Sequence, residues 1–320
     1  MSKTTIAIAG AGDFAKYIVE ESLKQNLRVV VLSRSNKEWF TKKSPDVSLH
    51  MTDYSADSVR QILDATGATA LFSLINAFEA ETYVPPHRAF YEACKRSKTC
   101  KRFSPAYYAG NIDEFPGLPR FYGNANDVFI KELPLQGGDV EWTITLLGWF
   151  MDYIAIFAAE NEYSDKSYLK ALNSMWSIDM NNWKATLPGT GDEPAAFTSA
   201  RDVAKAVARL ATTPEPWQRH TYVLGEQITW NILADKLETF HSRKLTERKY
   251  RSLTEIQEGL RTNQGTEDFQ IWLQMQEWSA TGAQGLPLAE VERQRVKYFK
   301  DVHFRTVDEF LQESKTGKWL

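Results

Sequence analysis

A short apolar segment that runs directly into a glycine loop constrains this chain most. Residues 5–9 read Thr-Ile-Ala-Ile-Ala, which is typical of a buried parallel strand, and a GxGxxA spacing follows. Its first glycine permits a tight turn, and its second lets the backbone approach a pyrophosphate that faces the start of the next helix. The alternative is a glycine turn in an unrelated α/β protein. The preceding strand and the following amphipathic segment favour a dinucleotide loop, which comprises Gly10, Gly12, Asp13, Phe14 and Ala15.

The end of the second predicted strand indicates which dinucleotide binds. NAD sites usually carry an Asp or Glu there, which holds the ribose 2′-hydroxyl. Here the strand at 27–32 is followed by Ser33, Arg34 and Ser35. A guanidinium can bind a 2′-phosphate through two hydrogen bonds, whereas a carboxylate would repel it. We therefore predict NADP(H) as the cofactor, although Arg34 could also be an ordinary surface cation.

Composition excludes several classes of protein. The 320 residues are 43% hydrophobic and 25% charged, with a net charge of −3, so no nucleic-acid or membrane partner is expected. The five histidines show no metal-like spacing, and Cys94 and Cys100 are expected to be reduced thiols. The first strand follows the N-terminus too closely for a signal peptide, which predicts a cytoplasmic protein. The apolar stretch Trp142–Ala159 is interpreted as a strand followed by a helix.

Strands and helices alternate along the first half of the chain. This order predicts an α/β fold with a Rossmann-type doubly wound parallel sheet, joined to a smaller C-terminal α+β substrate domain. Helices are expected at Asp57–Thr66 and at Val84–Ser97, with Pro85 and Pro86 in the first turn of the latter. The predicted strands are 5–9, 27–32, 47–51, 70–75, 100–104 and 141–147.

The predicted NADP(H)-binding domain covers residues 1–155, and a mostly substrate-binding domain covers 156–320. Parts of the second region, about 185–225, are expected to return to the Rossmann core. Ligands of such sheets bind outside the carboxyl ends of the strands. Two loops there supply further cofactor candidates, namely Asn76, Ala77 and Phe78, and Ser104 and Pro105. Asp53, after the third strand, either meets the adenine edge or is a solvated turn residue.

Three separated motifs relate the chain to a known family. They are Cys100–Pro105 (Cys-Lys-Arg-Phe-Ser-Pro), Leu187–Gly191 leading into Phe197–Ala204, and Val302–Phe310. Together they resemble the NmrA-like, isoflavone-reductase-like family of atypical short-chain dehydrogenases/reductases, over essentially the whole chain. The glycine loop is one residue shorter than is usual there. The resemblance implies a Rossmann domain that carries NADPH, a smaller domain that closes a cleft, and reduction of aromatic or phenylpropanoid-type metabolites.

Two departures from that family concern proton transfer. Its usual Pro-Ser-Glu-Phe-Gly is replaced by a stretch containing Tyr107 and Tyr108, and its lysine at the start of the next helix is replaced by Asn126 or Asp127. Lys131, about one turn later, either substitutes for that lysine or is a surface residue. The two adjacent tyrosines are either proton donors or packing beneath the nicotinamide. The candidate catalytic residues are therefore Tyr107, Tyr108, Tyr122, Asp127 and Lys131.

The segment after the sixth predicted strand supplies candidate substrate contacts. Trp149, Phe150, Asp152 and Tyr153 lie where the family forms its substrate wall, although the aromatic members could equally be hydrophobic core. The aromatic-rich stretch Asn161–Trp183, which contains the candidate Trp176, is hypothesised to form a lid over a large planar substrate.

Three functions are compatible with these features. The first is an NADPH-dependent reductase of specialised metabolism that acts at a C=C, C=N or benzylic C–O centre of a large aromatic or alkaloid-like molecule. The second is a non-reductive tailoring enzyme that keeps NADP(H), such as a Pictet–Spengler-type or cycloaddition cyclase, which the altered Lys and Glu positions favour. The third is an NmrA-like redox-sensing regulator, which does not need a deep aromatic wall. We expect a small-molecule aromatic substrate and a monomer or homodimer.

Overall fold

The centre of the molecule is a six-stranded parallel sheet. In the computed structural model, residues 3–156, 167–170, 176–263 and 265–316 are described. The strands are hydrogen-bonded in the order β3-β2-β1-β4-β5-β7, so the chain reverses its direction of travel across the sheet between β1 and β4. This is the switch point of a Rossmann-type sheet, and the predicted fold class is confirmed. The strands are β1 Thr5–Ala9, β2 Arg28–Ser33, β3 Val47–Met51, β4 Ala68–Ser73, β5 Arg102–Ser104 and β7 Glu141–Trp142.

Helices cover both faces of this sheet because its inner strands are apolar on both sides. Side chains alternate along β1, so Ile6 and Ile8 join one buried cluster while Ala7 and Ala9 join the other. On the first face pack α1 Asp13–Lys24 and α8 Ala200–Thr212, and on the second pack α3 Ala56–Thr66 and α4 Ala80–Arg96; α2 spans Glu38–Thr41. Both faces of the central sheet are therefore buried.

The strand predicted at 141–147 is wrong as a single element. β7 ends at Trp142, and β8 Ile144–Leu146 lies in another sheet, between β6 Tyr108–Ala109 and β13 His220–Tyr222. The chain changes partners where the Thr143 amide still bonds to the Phe103 carbonyl, while the Ile144 amide bonds to the Arg219 carbonyl. Consecutive residues of one apolar run thus serve two different sheets.

The next strand leaves that sheet through a glycine. β9 Trp149–Phe150 pairs in parallel with β12 Ala195–Thr198, and β14 Glu226–Ile228 lies on the other side of β12. Gly148 connects β8 to β9 with φ +71°, and a Cβ there would lie 2.2 Å from the Ala196 carbonyl oxygen. Only glycine fits this crossing, which aims the following aromatic residues at the candidate site.

The helix predicted at Val84–Ser97 begins earlier than expected. α4 starts at Ala80, so its paired prolines lie in its second turn and not in its first. The Tyr83 amide already bonds to the Glu79 carbonyl, so a full turn of helix precedes the prolines. The helix tolerates them because tertiary packing of its buried face, including Tyr83 and Phe90, outweighs the hydrogen bonds lost at proline.

The rest of the described chain forms short helices and one further sheet. That sheet joins β10 Ile178–Asp179, β11 Lys184–Pro188 and β15 Glu247–Arg251. The helices are α5 Arg120–Asn124, α6 Asn126–Ile130, α7 Asp152–Ile156, α9 Trp230–Phe240, α10 Leu253–Arg261, α11 Glu267–Ala280, α12 Leu288–Tyr298 and α13 Val307–Thr316, with a 3-10 turn at Leu133–Leu135.

Three further features bear on the sequence expectations. No helix within the described ranges has the length and apolar character needed to cross a bilayer. In the same ranges, no group of three or more His, Cys, Asp or Glu side chains is arranged to hold a metal ion. Cys94 and Cys100 are buried free thiols whose sulfur atoms lie 3.6 Å apart.

Candidate active site

The glycine loop between β1 and α1 has the shape of an anion cradle. Gly10 adopts φ +110°, and Gly12 faces open space, since a Cβ there would have no neighbouring atom within 4 Å. The N-cap residue of α1 is Gly12, which has no side chain to cap the helix, and the Asp13 carboxylate beside it pairs with Lys16. Ala15 is fully buried, which allows close packing of helix and strand. An open, uncapped helix start fits a pyrophosphate.

The residues after β2 present a positive charge near this loop's edge of the sheet. The Arg34 guanidinium carbon lies 5.1 Å from the centre of the Tyr54 ring, and Arg34 itself is exposed. Beside it, the Ser33 hydroxyl donates to the Ser35 carbonyl over 2.8 Å, which fixes the turn. Stacking on an aromatic ring orients a guanidinium while leaving its edge available for a phosphate.

Asp53 follows β3 and is exposed. Its carboxylate accepts a hydrogen bond of 2.9 Å from the Ser55 amide, which lowers the pKa of Asp53. This turn is the solvated arrangement that the sequence left open, and it leaves one carboxylate oxygen free of that bond. Contact with an adenine therefore stays a prediction.

A cavity of about 250 Å³ opens beside the glycine loop. Among the described residues that line it there is no charged side chain, and most are aromatic. Predicted site residues from five separate parts of the chain meet there. They are Phe14 from the glycine loop, Asn76 and Phe78 after β4, Tyr108 and Tyr122, and Trp149, Phe150 and Tyr153.

Six further lining residues were missed by sequence reasoning, and they are Leu74, Pro119, Phe121, Gly148, Met275 and Trp278. Met275 and Trp278 lie three apart on α11, so one face of that helix reaches the cavity. An apolar pair at that spacing is the one signal that the sequence held. The neighbouring sequence does not indicate which part of the protein such a pair packs against.

Ring contacts hold the aromatic walls together. Phe14 packs 5.6 Å from Tyr108 in an edge-to-face arrangement and 5.2 Å from Phe150. On the opposite side, Trp149 lies 5.8 Å from Trp278. Such pairs add about 0.5–1.5 kcal/mol each beyond burial of area. The cavity is therefore shaped by packed, rigid rings.

Three tyrosines line the cavity, and two of them, Tyr108 and Tyr122, are candidate catalytic residues. Burial raises the pKa of Tyr122 to about 12, against the opposing effect of a hydrogen bond from the Asn76 side chain. Burial, with a smaller effect of Tyr122, raises the pKa of Tyr108 above its usual value near 10. Both phenols are therefore protonated at neutral pH and can donate a proton.

Tyr107 and Asp127 form a buried pair behind this wall. The Tyr107 hydroxyl donates to the Asp127 carboxylate over 2.7 Å, and Tyr107 is fully buried. Burial first, and then the charge of Asp127, raise the pKa of Tyr107 well above its usual value. The Tyr107 ring lies 5.3 Å from the Tyr122 ring. The pair thus supports Tyr122, while neither of its members lines the cavity.

One of the two positions expected to hold the family's lysine, Asn126 or Asp127, is a buried amide. Asn126 is fully buried, and its side chain donates to the Ala106 carbonyl over 2.9 Å. Lys131 follows the end of α6, is exposed, and is not among the residues that line the cavity. The structure therefore does not bring Lys131 to the site as a substitute for that lysine.

Two predicted substrate contacts lie behind the wall and do not line the cavity. The Asp152 carboxylate is buried and accepts a hydrogen bond of 2.7 Å from the Ala200 amide at the start of α8, which is a structural role. Trp176 is buried with its ring 5.3 Å from Trp149. About half of the proposed lid at 161–183 lies outside the described residues, which include 167–170 and 176–183 of it.

The remaining cofactor candidates do not line the cavity. Ser104 and Pro105 are buried at and just after the end of β5. Ala77 is half-buried between Asn76 and Phe78. All three lie at the carboxyl edge of the central sheet, where a Rossmann-type fold binds its ligand.

Two curated relatives match nearly the whole chain. "Oxidoreductase swnR" of Arthroderma benhamiae is 32% identical over 316 residues, which is 96% of this chain and 96% of that protein. Its counterpart of the same name from Metarhizium robertsii is 32% identical over 310 residues, or 94% of each chain. The chain belongs to this family of oxidoreductases. No family model matches the sequence.

Solved structures share the fold over almost the full length. AtPrR2 with NADP+ and (+)pinoresinol matches with a TM-score of 0.74 and 15% identity, over 98% of this chain and 99% of that one. An isoflavone reductase matches with a TM-score of 0.70 and 17% identity, over 98% and 99%. The predicted likeness to isoflavone-reductase-like enzymes is thus confirmed in the fold.

Proposed function

We propose that this oxidoreductase is an NADPH-dependent reductase of specialised metabolism that acts on a compact, ring-containing small molecule without negative charge. One observation carries the proposal: Phe14 belongs both to the glycine loop and to the wall of the aromatic cavity. A dinucleotide cradle that shares a residue with an apolar pocket puts a redox cofactor next to a substrate. When bound, NADPH supplies the hydride.

The residues around the glycine loop fit this cofactor. The open space at Gly12 and the uncapped start of α1 suit the pyrophosphate, and Arg34 suits the 2′-phosphate. No carboxylate stands directly after β2 to repel that phosphate. The structural neighbour AtPrR2, which contains NADP+, supports the same choice.

The lining and the volume of the cavity indicate the class of substrate. A carboxylate or phosphate buried among these side chains would lose its hydration without gaining a cationic partner from the described residues of the wall, which is costly. Aromatic faces instead suit flat rings and can attract a cationic centre. The volume of about 250 Å³ lies below the range of roughly 300–1,000 Å³ for drug-sized ligands. We therefore propose a smaller substrate than the large planar molecule expected from sequence.

Tyr122 is the proposed proton donor. It reaches the cavity, it is protonated at neutral pH, and the hydrogen bond from Asn76 stabilises the phenolate left after donation. Tyr108 is the second candidate on the wall. Tyr107 and Asp127 act on the reaction by fixing the position of Tyr122 from behind.

Turnover assays test the reductase. The protein is incubated with NADPH and small cyclic enones, quinones or imines, and loss of nicotinamide absorbance is compared with product formation. We expect equal amounts of NADPH consumed and product formed. Tyr122→Phe should lower kcat by about 100-fold or more, whereas Tyr250→Phe, an exposed tyrosine on β15, should have no effect. Turnover that is unchanged in Tyr122→Phe would remove that residue from its role.

The buried Asn126 favours one alternative. With Asn126 or Asp127 in place of the expected lysine, and with the Asn126 amide bonded to the Ala106 carbonyl, a non-reductive cyclisation on the same cavity becomes the second candidate. The same assay distinguishes the two functions. Product that forms while the bound nucleotide keeps its oxidation state would contradict the reductase and support the cyclase.

A further inference from the structure

An ion pair joins two walls of the cavity. Arg120 is the first residue of α5, and Glu277 lies in the last turns of α11. The Arg120 Nε donates to Glu277 Oε2 over 2.5 Å, and its Nη2 donates to Oε1 over 2.7 Å. Two parallel hydrogen bonds fix the relative orientation of the two side chains as well as their distance.

The two partners differ in burial. The Glu277 side chain is 4% exposed, whereas that of Arg120 is 48% exposed. A carboxylate withdrawn from water depends on the donors that remain, here Arg120 and, more distantly, Gln257 at 3.4 Å. The hydrogen bond with Glu277 raises the pKa of Arg120 in turn. Removing Arg120 therefore costs more than removing one partner of an ordinary surface salt bridge, where both charges stay hydrated, because it leaves a buried carboxylate with a poor partner.

Cavity residues flank both members of the pair in sequence. Phe121 and Tyr122 follow Arg120 directly, and Met275 and Trp278 lie within two residues of Glu277. A shift of α5 away from α11 would thus move the proposed proton donor and widen the gap between these walls. The ion pair can affect the cavity in this way because it joins α5 to α11 and does not lie within a single helix.

The helix that carries Tyr122 is too short to be stable without tertiary contacts. α5 is five residues long, and isolated helices of that length are unstable in water. Its position depends on tertiary contacts, such as Phe121 against Phe78 at 4.7 Å and the bidentate bonds of Arg120. The aromatic contact ties α5 to the loop after β4, while the ion pair ties it to α11.

We propose that Arg120 and Glu277 form a clasp that holds α5 against α11, positions Tyr122 at the cavity wall, and limits the rate at which small apolar ligands enter and leave. Its role in turnover rests on the proposed function of the same cavity. Arg120 and Glu277 are positioning residues, since neither lines the cavity.

Hydrogen exchange and ligand kinetics test the clasp without any turnover. In Arg120→Gln we expect the amides of 120–124 to exchange about tenfold faster, while those of β1 are unchanged. The neutral fluorophore 1-aminoanthracene, followed by stopped flow, should bind and dissociate several-fold faster. Arg120→Lys keeps the charge with a single donor group and should give intermediate values.

Arg88→Gln is the matched control. Arg88 also makes a two-point pair with a glutamate, Glu132, and is also about half exposed, but no residue that lines the cavity lies next to either of them in sequence. Its loss should leave the exchange of 120–124 and the fluorophore rates unchanged. Equal effects of Arg88→Gln and Arg120→Gln, or no effect of Arg120→Gln, would overturn the proposal. So would faster exchange of β1, because that outcome indicates general destabilisation.

Kinetic assays add a readout that a purely structural role would not move. We expect Arg120→Gln to lower kcat for the reductase reaction while its affinity for NADPH is unchanged, since the glycine loop is not involved. Arg120→Lys should recover part of kcat. If no NADPH is consumed by any variant, the proposed function fails, but the exchange and fluorophore measurements still decide the clasp.

Discussion

The hydrogen bond between Tyr107 and Asp127 leads to a prediction that distinguishes a residue that stabilises the site from a residue that takes part in the reaction. Tyr107 is fully buried, its hydroxyl lies 2.7 Å from the Asp127 carboxylate, and it does not line the cavity. Tyr107→Phe keeps the ring and removes only the hydroxyl. We therefore expect this variant to lose stability, and we expect Tyr122→Phe to lose turnover.

The size of the loss follows from the kind of bond. A hydrogen bond to a charged group contributes about 1.5–3 kcal/mol to stability. The buried Asp127 carboxylate cannot recover a full hydration shell, so we expect Tyr107→Phe to lie in the upper part of that range, at about 2–3 kcal/mol. That is roughly a 30- to 150-fold change in the unfolding equilibrium.

Urea unfolding followed by tryptophan fluorescence measures this change. The midpoint should fall in Tyr107→Phe at an unchanged slope, which shows that stability and not compactness has changed. Tyr250→Phe is the control, because Tyr250 is 48% exposed and donates to Asn231 over 2.9 Å at the surface. We expect it to lose less than about 0.5 kcal/mol.

Two results would refute this reasoning. If Tyr107→Phe is as stable as Tyr250→Phe, the buried hydrogen bond to Asp127 contributes nothing measurable. If Tyr107→Phe keeps its stability but loses more turnover than Tyr122→Phe, then Tyr107 is the proton donor and the assignment of roles is reversed.

Further variants test a glycine crossing and a buried ion pair. Gly148→Ala places a methyl group 2.2 Å from the Ala196 carbonyl oxygen at φ +71°, so we expect a loss of at least about 3 kcal/mol; an unchanged melting temperature would contradict this. Arg305→Met leaves the fully buried Asp202 carboxylate without its main partner, and urea unfolding should show a loss of about 3–5 kcal/mol. Although burial opposes it, Arg305 lowers the pKa of Asp202 below its usual 3.8. The ionised form therefore stabilises the fold above about pH 4, and this contribution is lost as the pH falls. Asp202→Asn should remove that part of the acid dependence, and an unchanged acid unfolding curve would show that Asp202 does not cause it.

The sequence predicts the nucleotide-binding half well because its signals are local. The strands at 5–9 and 47–51 are found with their expected bounds, and the glycine loop lies between β1 and α1 as expected. An apolar run buried on both faces and a GxGxxA spacing are each complete within a few residues. Local sequence is therefore sufficient to predict these strands and the glycine loop.

The sequence-based predictions are wrong where contacts with distant parts of the chain determine the structure. Nothing in the run 141–147 signals that β7 and β8 join different sheets, because that depends on which strand lies beside each. Likewise, Asp152 stands next to wall residues in sequence, yet its carboxylate bonds to the Ala200 amide of α8. Proximity along the chain predicted a substrate contact, whereas the fold uses the carboxylate for support.

The wall of the aromatic cavity contains residues that the sequence predicts and residues that it does not. Trp149, Phe150 and Tyr153 were predicted from their place after a strand, and the structure brings all three to the wall. Met275 and Trp278 complete the same wall from α11, which carries no recognised motif. Which helix closes a cleft is a property of the assembled domain, so it could not be predicted from either segment alone.

The central claim is that the glycine loop binds NADP(H) and that Arg34 selects the 2′-phosphate. Titration with NADPH and NADH, followed by energy transfer from tryptophan to the reduced nicotinamide, tests it directly. We expect tighter binding of NADPH than of NADH. In Arg34→Ala, NADPH binding should weaken by about 10- to 100-fold with NADH little changed, while Lys37→Ala, another exposed cation nearby, should behave as wild type. Equal affinity for the two nucleotides, or no binding of either, would contradict the account.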